Sequence, residues 1–535
     1  MKRIGFMADC SRDAVPTAAT LKKLLDLMSA MGYNYLELYT EDTYAIEGEP
    51  YFGYLRGRYS AEEIRELDDY AAARGVELVP CIQTLAHLQQ IFRWPRFDEV
   101  NDGNGALFPG EEATYGLIDK MFAALAGTYR SRRVNIGCDE AFLTGTGKYL
   151  EKFGYRDRIV IINEHVKRVA QIAARYGFHC SMWGDMYYRL LFKDGADGEN
   201  LGKILSELPS NVSLIYWDYG HDVDAVTTDK AYYEERLKNY RKLGCPIEFC
   251  GGAWKWTGFA PDNAYSMMTL GPMLEAAKEY GVEEACITGW ADDGSESSLF
   301  SVLPTMLYFA RVCQGQSVEE AELSKAFKKI TGVGFRDFLD IERINSFIHC
   351  ERGKASNTDK YFLYNDCFLG VFDGLVRGDE SAWYADVSDR LSHGNYGKFS
   401  YLFRTMRALA DVLEIKAEIG VKTRNAYRKK DVAALTALVG QYRELEKRLK
   451  KFYARFREQW HLENKPFGYE VHCIRGGGLI ARVAYCAKVL QDYCRGRIDR
   501  IPELEEEILP YPFARGRHCE YLFTGYARTV TQGIL

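Results

Sequence analysis

No apolar stretch in this chain of 535 residues approaches the roughly 18 residues that a membrane-spanning helix needs, so no membrane association is expected. An excess of positive charge is missing as well. The 69 Lys and Arg stand against 75 Asp and Glu, a net charge of −6, which argues against nucleic acid as a partner. Cys-x-x-Cys pairs, His-x-x-x-His pairs and Asp-rich calcium loops do not occur, so neither a metal nor another cofactor is expected. The 14 cysteines are scattered, and the closest two in sequence are Cys245 and Cys250. Several, such as Cys81, Cys138, Cys180 and Cys286, sit among apolar residues and read as buried, reduced thiols. Thr144-Gly-Thr-Gly-Lys148 has the wrong spacing for a phosphate loop, and Tyr149 stands where Ser or Thr should follow. The first residues reach Asp9 too early for a secretory leader, which predicts a cytoplasmic protein. No repeat of fixed period and no low-complexity linker is present.

What the chain does have is an ordinary globular balance, 47% hydrophobic and 27% charged, with a heavy aromatic load of 37 Tyr, 28 Phe and 8 Trp. Eight short apolar runs lie in the first 315 residues, at 3–9, 33–39, 76–82, 133–139, 178–185, 212–218, 247–252 and 285–290. Each is six to eight residues long and many are apolar on both parities, as strands covered on both faces must be. Amphipathic stretches separate them: 18–31, a helix opened by the capping box Ser60-Ala-Glu-Glu63, then 163–176, 232–243, 264–280 and 298–313. Gly32, Gly75, Gly177, Gly244 and Gly281 precede strands where helix stops are needed. Eight successive β-α units predict an α/β fold, a closed (β/α)8 TIM barrel over residues 1–316. An open doubly wound sheet is the alternative, but Asp9-Cys-Ser-Arg12 is no glycine-rich nucleotide turn. From about residue 317 to 535 the strand-like runs cease. Segments 318–332, 397–419, 431–458, 479–495 and 502–508 predict an all-α C-terminal domain packed on the barrel. Arg475-Gly-Gly-Gly478 reads as a close-packing site or the start of a helix, and the basic residues between Arg443 and Arg457 as a solvated helix face.

Reactive groups of such barrels gather at the carboxyl ends of the strands. Here those ends carry Asp9 and Arg12; Tyr39, Glu41, Asp42 and Tyr44; Gln83 and His87; Asp139 and Glu140; Trp183 and Asp185; Trp217, Asp218 and Tyr219; Trp254, Lys255 and Trp256; and Trp290, Asp292 and Asp293. Any one of these tryptophans could be plain barrel-to-helix packing. Four strands ending in tryptophan around carboxylates instead suggest a sugar site, where rings stack on pyranose faces and acids hold hydroxyls. Asp139-Glu140 is the sharpest local feature. Two adjacent carboxylates after a buried strand are costly unless used or paired, and glycosidases use carboxyl pairs. A solvated acidic loop is the bland alternative. Adjacent acids sit near one another, whereas the ordinary pair must reach opposite sides of the sugar.

Asn135-Ile-Gly-Cys-Asp139-Glu140 resembles the fourth-strand signature of family 20 glycoside hydrolases, the β-N-acetylhexosaminidases, and Asp9-Cys-Ser-Arg12 resembles their first-strand motif. Tyr51-Phe-Gly-Tyr54, Pro80-Cys-Ile-Gln-Thr-Leu-Ala-His87, Tyr216-Trp-Asp-Tyr219, Gly251-Gly-Ala-Trp254-Lys-Trp256 and the segment Gln459-Trp460 to Phe467-Gly468 are similar to the streptococcal-type branch with a helical C-terminal domain. The resemblance thus covers nearly the whole chain. It departs in one respect: the family usually places a small α/β domain before the barrel, and here the first strand begins at residue 3, so that domain is expected to be either absent or removed.

The resemblance implies a retaining exo-β-N-acetylhexosaminidase acting on terminal, non-reducing β-linked GlcNAc, and GalNAc too, of an oligosaccharide or glycoconjugate. Glu140 would be the general acid/base, and the substrate's own acetamido oxygen the nucleophile, giving an oxazolinium intermediate. Asp139 would hold the acetamido N–H. Tyr219 is the candidate for the acetamido oxygen, with Tyr39 and Tyr44 as runners-up. Trp183, Trp217, Trp254 and Trp290 would wall the pocket, with Trp256 less sure. Asp42 and His87 would form a dyad that tunes the acid, and Arg12 with Asp292 would grip hydroxyls. The branch also implies a homodimer through the helical domain. A non-catalytic sugar-binding barrel would keep the tryptophans but has no use for the acid pair. A lyase or aldolase would need a central Schiff-base lysine or a phosphate loop, and Lys255 is the sole strand-end lysine.

Overall fold

The computed structural model of the protein describes residues 1–193, 211–220, 229–345, 356–509 and 525–531, with residues 202, 204, 206–209 and 533. Eight parallel strands close into a barrel: β1 (Arg3–Asp9), β2 (Tyr35–Tyr39), β3 (Glu77–Cys81), β4 (Arg133–Asn135), β5 (His179–Trp183), β6 (Val212–Trp217), β7 (Ile247–Gly252) and β8 (Glu284–Gly289), with β8 pairing back to β1. All eight apolar runs are strands. The register sets Asp9 against Tyr39, Tyr39 against Cys81, Cys81 against Asn135 and Asn135 against Ser181, one row near the carboxyl ends of five neighbouring strands.

Among the outer helices, α1 (Ala18–Met31) stops at Gly32, whose φ of +87° closes the cap on Met28. The next, α2 (Ala61–Ala72), begins with the expected reciprocal capping box of Ser60 and Glu63. Then come α3 (Glu112–Ala126), α4 (Arg158–Arg175), α5 (Lys230–Lys242), α6 (Asn263–Glu279) and α7 (Leu303–Gln314). Helix α7 starts later than the sequence pattern suggests. Residues 299–302 wind as a 3-10 turn, and Pro304 occupies the first helical turn, where its missing N–H costs nothing.

The chain after the barrel is helical: α8 (Glu380–His393), then three long helices α9 (Ser400–Arg428), α10 (Val432–Glu463) and α11 (Tyr469–Cys494). The Arg475 to Gly478 segment lies inside α11 and does not precede a helix. Three consecutive glycines weaken a helix interior. Gly476 is required there, because a Cβ would lie 2.6 Å from the Tyr453 ring on α10. The barrel's outer layer and the helical region share one continuous apolar core, while a second, aromatic-rich cluster fills the barrel interior. The twelve described cysteines are free, and no described helix is long and apolar enough to cross a membrane.

The helical region touches the barrel at its carboxyl face. Asp359 accepts from the backbone N–H of Phe259 (2.6 Å) and Ala260 (2.9 Å) in the loop after β7. Glu342 accepts from the backbone N–H of Asn263 and Ala264 at the start of α6, two donors that a helix start leaves without an intrahelical partner. Glu463, at the end of α10, accepts from the Ser298 hydroxyl and the Leu299 N–H after β8. Lys465 donates its backbone N–H to Val15 after β1. Replacing Asp359 by Ala strands two buried N–H groups and is expected to lower stability by about 3 kcal/mol. Urea unfolding measures this, and an unchanged midpoint would mean that the loop after β7 is not held from the helical side.

Candidate active site

The strands deliver their terminal side chains to a cavity of about 300 Å³ at the carboxyl face, lined by Arg12, His87, Asp139, Glu140, Trp183, Trp217, Tyr219, Trp256, Trp290 and Asp292. Nine of the eleven residues singled out by sequence are in this wall. Its geometry depends on unusual backbone. Among the described residues ten non-glycines have positive φ; all but Lys430 lie in connections that follow barrel strands, and seven (Asp13, Glu41, His87, Cys138, Glu140, Asp293 and Ser295) fall within six residues of a strand's carboxyl end. Such conformations cost about 1–3 kcal/mol each and persist only where the surroundings fix them.

The turn after β4 shows how. The apolar run predicts a strand to residue 139, but β4 ends at Asn135, whose side-chain oxygen accepts from Gly137 N–H (3.0 Å). Gly137 has φ +73°, and a Cβ there would lie 2.2 Å from Gln83 Oε1 and 2.7 Å from Ile82 O. Only glycine fits, by conformation and by space. Gln83 then accepts from Cys138 N–H (3.1 Å) and donates to Asp139 Oδ1 (2.7 Å) and to the Tyr39 hydroxyl (2.9 Å). Asp139 is aimed inward by this clamp. The Glu140 N–H donates to Asp185 Oδ2 (2.9 Å), whose other oxygen accepts from Trp217 Nε1 (3.4 Å).

The two carboxylates meet at one imidazole nitrogen. His87 Nε2 stands 3.4 Å from Asp139 Oδ2 and 3.7 Å from Glu140 Oε2. Burial alone would raise the Asp139 carboxyl, but the charge and contact of His87, with the Gln83 hydrogen bond, hold it below the ordinary value. Glu140 goes the other way. Partial burial, then the Asp139 charge beside it, raise its carboxyl, while about half of its side chain faces the open cavity. Burial, then Asp139, push Asp185 up to about 7. On His87, burial is outweighed by Asp139, and the imidazole rises to about 9.

Arg12 lines the same cavity. Its guanidinium stands 3.3 Å from Glu41 Oε1, 3.8 Å from Asp292 Oδ1 and 4.0 Å from Asp9 Oδ2. The Tyr219 hydroxyl accepts from Trp290 Nε1 (2.6 Å), and its ring lies between Trp217 (5.1 Å) and Trp256 (5.3 Å). Trp183 packs on Trp290 at 5.9 Å. Trp183 Nε1 and Arg12 Nε are buried donors of this wall with no hydrogen-bond acceptor among the described residues, as expected of groups that await a polar ligand.

Two expectations are corrected. Asp42 does not form a dyad with His87: its carboxylate pairs with Arg56 Nε at 2.9 Å. The left-handed turn at Glu41, φ +42°, sends Glu41 and not Asp42 toward Arg12, where it also accepts from the Tyr39 hydroxyl (3.0 Å). Trp254 is not in the cavity wall. It is 1% exposed and stacks beneath Trp256 at 4.3 Å and 24°, its Nε1 donating to Tyr219 O. Two residues further along the chain, Trp256 takes the lining position. Of the runners-up, Tyr39 is consumed by Glu41 and Gln83, while Tyr44 packs on Phe52 away from the cavity wall. Gln83, Glu41 and Asp185 also belong to the site, through Asp139, Arg12 and Glu140 respectively, and their place at strand ends is the one sequence signal that marks them. No group of described His, Cys, Asp and Glu residues forms a metal site.

Comparison with known proteins agrees with the resemblance. Residues 3–230 match the "Glycosyl hydrolase family 20, catalytic domain" profile and residues 336–521 the "Glycoside Hydrolase 20C C-terminal domain" profile. Bovine hexosaminidase D is 26% identical over 325 residues, covering 56% of this chain and 88% of that protein. Human hexosaminidase D is 25% identical over 253 residues, covering 46% of this chain and 49% of its own length, so the chain spans about half of that relative. A solved β-N-acetylhexosaminidase from Bacteroides fragilis aligns with TM-score 0.45 at 20% identity, over 58% of this chain and 65% of that one.

The His87 charge state gives a direct check on this electrostatic arrangement. Because its pKa is raised in the fold, the Asp139–His87 attraction stabilises fully below the ordinary histidine value and fades as pH rises through about 9. NMR of the imidazole is expected to show a cation at neutral pH that titrates near 9. In Asp139→Asn, burial acts without its main opponent and the pKa is expected to fall below the ordinary histidine value. A wild-type His87 that titrates like a free histidine would contradict the pairing.

Proposed function

Because the chain belongs to glycoside hydrolase family 20, we propose that it is a retaining exo-β-N-acetylhexosaminidase that removes terminal β-linked GlcNAc, and GalNAc, from oligosaccharides or glycoconjugates through an oxazolinium intermediate. One observation carries the mechanistic part: the two carboxylates converge on a single His87 nitrogen. Acids gathered on one side of a cavity cannot flank a sugar from both faces, as the two-carboxylate scheme requires. They can act on neighbouring atoms along one edge of the sugar. Glu140, whose carboxyl is the one of the pair that is raised, is the general acid and delivers a proton to the glycosidic oxygen. Asp139, held ionised, accepts from the acetamido N–H and stabilises the positive charge that develops as the acetamido oxygen attacks the anomeric carbon. Glu140 then takes a proton from the water whose oxygen bonds to the anomeric carbon, breaking that carbon's bond to the acetamido oxygen and opening the oxazolinium ring.

Tyr219 is the donor to the acetamido oxygen, its hydroxyl positioned by Trp290 Nε1. Trp183, Trp217, Trp256 and Trp290 wall the acetamido and pyranose faces, with Trp254 as the support under Trp256. Arg12 and Asp292 hold the hydroxyls at the far end and limit the site to chain termini. His87 tunes the acid pair directly and not through Asp42. We assign the chemistry to the barrel, 1–316, and buttressing to the helical part, 317–535. Exposed Leu462, Phe467, Ile474 and Tyr485 on or beside α10 and α11 support self-association there as a homodimer, which light scattering reads.

Hydrolysis of aryl β-GlcNAc and aryl β-glucoside by wild type, Glu140→Gln and Asp139→Asn tests this reading. Each substitution is expected to lower kcat/KM on the GlcNAc substrate by about 10²–10⁴-fold. The plain glucoside is expected to be a poor substrate, because it lacks the nucleophile. Efficient glucoside cleavage would remove substrate assistance, and full activity in Glu140→Gln would remove the assigned acid.

A further inference from the structure

The loop that follows β8 carries Asp292 on its cavity side and is held from behind by the helical region. Its backbone is unusual at three successive residues, Asp293 (φ +50°), Gly294 (φ +112°) and Ser295 (φ +53°). On the barrel side, Ala291 N–H donates to Asp9 Oδ2 (3.1 Å), and the Ser295 hydroxyl donates to the backbone oxygen of Arg12. The same loop therefore touches both members of the Arg12–Asp292 pair.

From the helical side two cations enter it. Lys360, whose side chain is 1% exposed, places Nζ 2.8 Å from Asp293 Oδ2 and 2.7 Å from Glu296 Oε2. Arg475 on α11 donates Nη1 to Asp293 O (2.8 Å) and Nη2 to Asp293 Oδ1 (3.0 Å), and lies 3.4 Å from Glu296 Oε1. His472 Nε2 donates to Gly294 O (2.7 Å). The packing leaves no slack, because a Cβ on Gly294 would lie 2.6 Å from Arg475 Nη1. The buried Glu296, the partly exposed Asp293 and two cations thus form a hydrogen-bonded group in which removal of one cation leaves a carboxylate uncompensated. The loop would relax toward water, and Asp292 would move with it.

We propose that Lys360 and Arg475 are positioning residues for substrate binding, fixing the β8 loop so that Asp292 faces Arg12 across the hydroxyl end of the sugar. The helical region is then part of the specificity machinery of the barrel and not only its support. This rests on the assignment of Asp292 to substrate made above. A group that acts through Asp292 affects how the sugar is held more than how Glu140 moves its proton, so its loss appears in KM before kcat.

The test uses the full chain with Lys360→Met, Arg475→Lys and Asp292→Asn, singly and with each of the first two combined with the third, assayed on aryl β-GlcNAc. Lys360→Met is expected to raise KM about tenfold with kcat within about threefold, and Arg475→Lys, which keeps the charge but not the fork, to have a smaller effect of the same kind. In the Asp292→Asn background neither substitution is expected to raise KM further, because residues acting through one group are not additive. An unchanged KM in folded Lys360→Met, or an increase that simply multiplies with that of Asp292→Asn, would overturn the proposal. Should Lys360→Met fail to fold, Arg475→Lys decides by the same criteria. A wild type inert on aryl β-GlcNAc would contradict the proposed function itself. Hydrogen exchange over residues 290–297 would then decide on the loop, with unchanged exchange in Arg475→Lys overturning its positioning.

Discussion

The turn from β4 into the acid pair is the constraint on which the site depends. Gly137 reverses the chain against the Gln83 side chain, and the left-handed residues Cys138 and Glu140 complete the reversal. Consecutive residues of a continued strand would point to opposite faces. The reversal brings Asp139 and Glu140 instead to one imidazole nitrogen. Gln83 is central to this arrangement, since a single amide binds the turn's backbone, one of the acids and the Tyr39 hydroxyl. Asp185 does the equivalent for Glu140 and Trp217. The environments so created push the neighbouring carboxyls in opposite directions, which is what separate roles for two acids require.

The same economy appears in the helical region. It supplies carboxylates to stray backbone N–H groups after β7 and β8, and cations to the acids Asp293 and Glu296 after β8. These contacts fall on the face of the barrel where the cavity opens. A barrel alone would leave these loops with unsatisfied buried groups or more freedom, and either would blur a site that relies on seven residues held at positive φ.

Much of this was legible in the sequence because it is periodic or local. Short apolar runs marked the eight strands, a capping box marked α2, and Asp139-Glu140 and the strand-end tryptophans stood out by type and place. The parts that were not legible depend on single dihedral angles or on distant pairs. Glu41 and Asp42 are adjacent acids, and only the left-handed turn at Glu41 decides which one faces Arg12. Trp254 and Trp256 share a parity, and only their stacking shows which covers the other. The end of β4 was masked by the apolar character of Ile136 and Cys138, which are buried although not in a strand. The Arg475 segment stood out only for its glycines, and nothing local pointed to the partner Asp293, 182 residues away.

The central claim is that both acids work on one edge of the sugar, with the substrate's acetamido oxygen as the nucleophile. The stereochemistry of the first product tests it most directly. Proton NMR of the anomeric region during early turnover of a β-GlcNAc glycoside is expected to show the β anomer first, with the α anomer appearing only as mutarotation proceeds. An α anomer formed first would mean direct attack by water from the opposite face, and would contradict the account.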